Sequence, residues 1–239
     1  MSFSEGSWWE GHPELLPPDP DLEPLHQRDY QVRAWRMNES SILIRGAVMD
    51  LRPGAPFAER LTAAGGEDDG SPLAMHHMVV DLVVEFPGLT ITDARVLFEK
   101  HPQPGCPAIA AHYRELIGLS IARGFTHEVR RRFGGPRGCT HTTALLQAMS
   151  PVAVQCIFSM RRFGPFPGGP APLVDSGGQP MVATEAGGEP SFMRDTCHVW
   201  SAEGELWQEV TLGRPVPLPL PMQERLRRAG LDPDRRDII

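Results

Sequence analysis

Four cysteines and nine histidines are the residues of this chain best equipped for chemistry, and they are not scattered. Cys139 and His141 stand two apart in GCTHTTALLQAM, residues 138–149. Cys106 lies in GCPAIAA, His76 and His77 are adjacent, and so are Cys197 and His198. A sulfur acts as nucleophile or metal ligand in its anionic form, and a helix start favours that form by aiming unpaired N–H groups and partial positive charge at it. Cys106 and Cys139 are both expected at helix starts, and that repetition says more than either alone. Side chains two apart on a helix face nearly opposite ways, so Cys139 and His141 converge only if Cys139 is the cap.

Three chemistries suit such residues. A Cys and His metal site would activate water or polarise a carbonyl, with His77 or a carboxylate moving protons. An exposed Cys106 or Cys139 would carry sulfur or an iron-sulfur cluster. A metal-free thiol, Cys139 or Cys106, would attack an acyl group with His141 or His76 as base. Against all three stands the plain alternative of buried Cys and His satisfied by backbone. No CxxC, HExxH or DxDxDG spacing is present, nor a Walker loop, a GxGxxG after a strand or a GxSxG elbow. Asp50 and Asp81 could lie near the site at strand ends, although solvated strand positions are the simpler reading for both.

The elements that must position these groups follow from periodicity. QRDYQVRAWR (27–36) alternates Tyr30, Val32 and Ala34 against Gln31, Arg33 and Trp35, and SILIRGAVMDLR (41–52) forms a second strand across MNES. HHMVVDLVVEF (76–86) and LTITDARVLFEK (89–100) add two more, giving an antiparallel meander. Residues 53–72 read as a Gly, Asp and Pro-rich insertion loop without a firm helix. Pro107 suits the first helical position and puts Cys106 at the N-cap of a helix with Ile109, Tyr113, Leu116 and Ile117 on one stripe. A short basic helix covers 125–133. Cys139 or Thr140 caps a helix that is apolar nearly all round and contains Pro151. Residues 163–190 are Gly and Pro-rich, 194–210 look strand-like, and MQERLRRAGL near the end suits a short helix. The expected organisation is an extended arm (1–24), an α+β core (25–162) and a Gly/Pro-rich extension (163–239).

Composition narrows the classes. A net charge of −7 disfavours nucleic acid and anionic membrane, neither of which gains counterion-release energy from an acidic surface. Arg130, Arg131 and Arg132 read as a solvated basic helix face, with anion contact the alternative. No stretch approaches the roughly 20 apolar residues that span a bilayer, so a cytoplasmic protein with a small-molecule substrate is expected, and a homo-oligomer is compatible with it. Four cysteines in such a chain are not a disulfide framework.

QRDYQ, the HHM before a strand, GCTHTTALL and the late TCHVW together resemble a bacterial family of unknown function, numbered 2889. A more remote resemblance is to iron-sulfur cluster assembly scaffolds of the NifU and IscU type. HHMVVDLVVEF, TITDAR, GCPAIAA and GCTHTTALL occur in the order of the scaffold's own elements. That resemblance implies an antiparallel β-meander followed by packed helices. It also implies a ligand set of His76, Cys106, Cys139 and His141, with His76 replacing the scaffold's first cysteine. Two thiolates and two imidazoles suit Zn(II) better than a labile cluster. The expected function is therefore a metal-supported enzyme of small-molecule metabolism, with Cys139, His141 and His77 as catalytic candidates. The sulfur or cluster carrier and the cysteine-nucleophile acyl-transfer enzyme are the alternatives.

Overall fold

The computed structural model describes residue 16 and residues 19–162, 194–195, 197–214, 218 and 220–233. Four strands, β1 (Gln27–Arg36), β2 (Ser41–Arg52), β3 (Leu73–Glu85) and β4 (Thr90–Lys100), form one antiparallel sheet in the order β1-β2-β3-β4. The first two coincide with their expected limits. The turn between them is local chemistry: the Asn38 side chain accepts the N–H of Ser40 at 2.9 Å, and the Met37 N–H reaches the Ser41 carbonyl.

Period-two alternation sorts the sheet into two faces. Ile42, Ile44 and Val48 of β2, Met78, Val80, Leu82 and Val84 of β3, and Ile91, Ala94 and Val96 of β4 are all buried on one face. Helix α3 (Thr140–Arg162) lies on that face. A Cβ at Gly46 would stand 2.7 Å from Met149 Sδ, so the bare glycine makes room for the Met149 side chain against β2. Leu145, Leu146, Met149, Ala153 and Ile157 supply the helix side of the core. Helix α2 (Phe125–Phe133) adds Phe125, Val129 and Phe133 at i, i+4 and i+8. The free edge of β4 is bonded by the chain after residue 116, through Gly118 N–H to the Ile91 carbonyl and Ile91 N–H to the Leu119 carbonyl.

The chain falls into two compact units, one of residues 1–27 and 51–73, the other of 28–50 and 74–239. Within the first, residues 53–72 are not loop throughout: Ala55–Ala63 form helix α1, with Pro56 in its first turn. The helix buries no residue, which is why an apolar stripe was absent from the sequence.

Two further expectations change. Cys106 does not cap an α-helix; it is the first residue of a 3-10 helix, Cys106–Leu116, with Gly105 as the cap. Residues 194–210 are not a strand: a 3-10 turn spans His198–Trp200 and helix α4 spans Glu205–Thr211. There Trp207 and Val210, three apart, are the buried residues, a helical rather than an alternating spacing. The short terminal helix is present as α5 (Leu220–Arg228). The arm at 1–24 falls largely outside the described residues, and 163–190 entirely so. Among the described residues no helix is long and apolar enough to cross a membrane.

Candidate functional site

β2 continues its buried alternation past Val48 to residue 50, where the next inward position is not apolar but Asp50, whose side chain is 2% exposed. A buried carboxylate is costly unless paired. Here Arg28 on the neighbouring strand supplies a two-point contact, Nε to Oδ1 at 2.5 Å and Nη2 to Oδ2 at 2.6 Å. The hydrogen bond to Asp50 raises the Arg28 pKa above its ordinary value, so the guanidinium stays charged. Asp50 is thus no solvated strand residue, which corrects the sequence reading.

Two imidazoles complete the cluster. His76 occupies the inward parity of β3, two before Met78, while His77 has the parity of Val79 and Asp81 on the other face. His141 enters from the first turn of α3. Its Nε2 lies 2.9 Å from Asp50 Oδ2, and its ring stacks on that of His76 with centroids 3.8 Å apart and planes at 24°. His76 Nδ1 is 3.2 Å from the same oxygen, yet it is buried without hydrogen-bond geometry to any partner. A carboxylate can only accept, so Nε2 of His141 carries the proton and Nδ1 is left as an acceptor. Burial lowers the His141 pKa below 6.5, helped by His76 and opposed by Asp50. The ring is therefore neutral at neutral pH.

That acceptor faces sulfur. Cys139 Sγ is 3.7 Å from His141 Nδ1. The convergence across two residues is possible because Cys139 precedes the helix and its carbonyl accepts the Thr143 N–H, so it is the cap. Two features hold it there. A Cβ at Gly138 would lie 2.5 Å from the Phe133 carbonyl oxygen, so glycine alone lets the chain pass beneath α2 into α3. The Tyr113 hydroxyl accepts the Cys139 N–H at 2.8 Å and donates to its carbonyl at 3.3 Å. Burial raises the Tyr113 pKa, and its ring stacks on Phe133 at 4.7 Å. Cys139 remains half-buried.

Of the residues singled out from sequence, His76, Cys139 and His141 are thus gathered around Asp50. Asp50, His76 and His141 place one donor atom each within 4.8 Å of one another, and among the described residues no group of three such donors includes Cys106 or Cys139. Arg28 was missed, and so was Tyr113 as a site residue. The signal for Asp50 was available in outline: it falls in phase with Ile42, Ile44 and Val48, and an acid in phase with a core stripe needs a partner. Nothing local marks Arg28 as that partner.

A family model described as a protein of unknown function (DUF2889) matches residues 26–155, more than half of the chain, and the chain belongs to this family. The matched span contains every member of the cluster. No curated protein and no solved structure is significantly similar to the chain.

Proposed function

We propose that the protein is a cysteine-nucleophile enzyme acting on an acyl group of a small molecule, with Cys139 as nucleophile, His141 as base and Asp50 as the residue that orients the base. The observation that carries this reading is the relay itself: Sγ to Nδ1 at 3.7 Å, then Nε2 to a buried carboxylate at 2.9 Å. The Cys139 proton passes to Nδ1 as sulfur bonds to the acyl carbon. The protonated imidazole is stabilised by Asp50 and returns the proton to the leaving group as its bond to carbon breaks. Water, deprotonated by the same nitrogen, then releases the acid and restores the thiol. The N–H groups of Thr140 and His141, which have no acceptor within the helix, face the start of α3 and would receive the negative oxygen of the intermediate. Arg28 fixes Asp50 in place, and His76 fixes the plane of His141 by stacking.

The direct test is alkylation by iodoacetamide near pH 7, followed by peptide mass spectrometry. Cys139 is expected to react at least tenfold faster than Cys106 and Cys156. Turnover of a panel of simple thioesters is expected to vanish in Cys139→Ser. Equal labelling of the cysteines, or turnover that survives the substitution, would overturn the reading.

A metal centre is the second reading, favoured by the orphaned His76 Nδ1 beside Asp50 and His141. Two observations weigh against it. Arg28 already holds both carboxylate oxygens. The two imidazole rings are stacked on each other with centroids 3.8 Å apart, whereas two imidazoles on one tetrahedral Zn(II) splay apart from the ion. Stoichiometric zinc in tag-free protein, lost in His76→Ala, would establish this reading in place of the first. The iron-sulfur scaffold likeness rests on element order and on the TITDAR and GCPAIAA strings, and it calls for several cysteines around one cluster; among the described residues the donor group is Asp50, His76 and His141, with Cys139 beside His141.

A further inference from the structure

Between the 3-10 helix Cys106–Leu116 and the end of α2 lies an open groove of about 540 Å³ lined by Ile109, His112, Glu115, Arg131, Arg132 and Arg137. That is within the range of small-molecule clefts, about 300–1,000 Å³. Its charge runs against that of the whole chain. Arg131 and Arg132 both bond Glu128, and Arg132 also approaches Glu115 at 3.8 Å. The two arginines hold Glu128 down to a pKa of about 2, so it remains a carboxylate. Three guanidinium groups thus face two carboxylates, and the balance is positive.

Part of this has a structural reason. Arg130, Arg131 and Arg132 close the last turn of α2, where cations complement the helix dipole. Arg137 is different. It lies outside that helix, is exposed, and among the described residues its guanidinium pairs with no carboxylate; its side-chain hydrogen bond is a long 3.5 Å contact from Nη2 to the Arg130 carbonyl. Most of its donors therefore face the groove and solvent. Arg137 is also two residues from Cys139, so the two Cα atoms are at most about 7 Å apart.

We propose that this groove binds an oxyanion carried by the substrate, a carboxylate or phosphate set a short distance from the bond that Cys139 attacks, with Arg137 as its principal contact. The proposal rests on the thiol reading for what the anion is attached to, but the anion site itself stands on the groove. Ile109 supplies an apolar wall for the intervening carbons, and His112 Nδ1 lies 3.3 Å from Glu115. A planar guanidinium suits either oxyanion through two parallel hydrogen bonds.

Iodoacetate and iodoacetamide alkylate the same sulfur and differ in charge, so the ratio of their rates at Cys139 reads the local field. In Arg137→Gln that ratio is expected to fall at least fivefold, with the iodoacetamide rate changed less than twofold. Arg114→Gln, which removes an exposed arginine outside the groove, is expected to leave the ratio unchanged. An unchanged ratio in Arg137→Gln, or an equal fall in both variants, overturns the proposal. Titration of the full chain with inorganic phosphate and with succinate, followed by NMR of the arginine side chains, distinguishes the two anion sources. Binding of either that weakens at least fivefold in Arg137→Gln supports the site, and binding of neither overturns it. If Cys139 resists both alkylating reagents while the anion still binds through Arg137, the thiol reading fails and the anion site survives.

Discussion

The sheet carries two Arg–Asp pairs of nearly identical geometry on its two faces. Arg28 and Asp50 join β1 to β2 on the helix-covered face at 2.5 and 2.6 Å; Arg45 and Asp81 join β2 to β3 on the other at 2.6 Å in both bonds. The bonds are alike and the surroundings are not. Asp50 is 2% exposed and Arg28 38%, against 18% and 52% for Asp81 and Arg45. On the open face the pair exchanges water for a partner at little net gain. On the covered face the same pair is buried, and its carboxylate lies 2.9 Å from His141, whose other nitrogen faces Cys139. An ion pair therefore becomes part of a site through burial and neighbours, not through its own geometry.

Three substitutions test that contrast. The largest effect belongs to Asp50→Ala, which leaves Arg28 beside a buried gap and His141 without its acceptor. A loss of about 3 kcal/mol is expected in chemical denaturation, the low end for breaking a buried pair because Arg28 reaches solvent. Cys139 alkylation should slow by about 10²-fold, the typical worth of an oriented base. A folded Asp50→Ala protein with unchanged Cys139 reactivity would separate the carboxylate from the site.

His141 gives an intermediate effect that depends on pH. Burial lowers its folded pKa below 6.5, so between that value and 6.5 the unfolded chain binds more protons than the folded one. Stability is therefore full above 6.5 and falls as pH drops through this window. His141→Gln should flatten the thermal midpoint across it, and the acid limb of Cys139 alkylation in the parent protein should lie below 6.5. A midpoint that rises on acidification would reverse the sign and reject the assignment.

The smallest effect is expected for Asp81→Asn. It should cost less than about 1 kcal/mol, shrink further in high salt, and leave Cys139 reactivity unaltered. A cost as large as that of Asp50→Ala would erase the distinction between the two faces.

Much of this was legible in the chain and some was not. Alternation located β1 and β2 to the residue, because one face of each must be apolar and the other need not be. The short basic helix expected over 125–133 is α2, and Phe125, Val129 and Phe133 are the face it buries. Helix α1 was missed because it buries nothing. Residues 194–210 misled because Trp207 and Val210 are too few to set a period. At the site, the pairing of Cys139 with His141 followed from local sequence once the cap was placed. Asp50 was misjudged because a carboxylate at a strand end is usually solvated, and its partner Arg28 stands twenty-two residues away.

By itself, then, the sequence determined the elements whose reasons are local: strand and helix periods, the Asn38 turn, the glycine before Cys139 and the placing of a thiol at a helix start. Tertiary structure alone decided which histidine meets which acid. His76 and His77 are neighbours in sequence, but strand parity turns them to opposite faces, and only the packing of α3 over β2 and β3 brings His76, His141 and Asp50 together. The physical reason is that periodicity is written in the nearest few residues, whereas the pairing of a buried charge depends on whatever the fold places within about 3 Å of it.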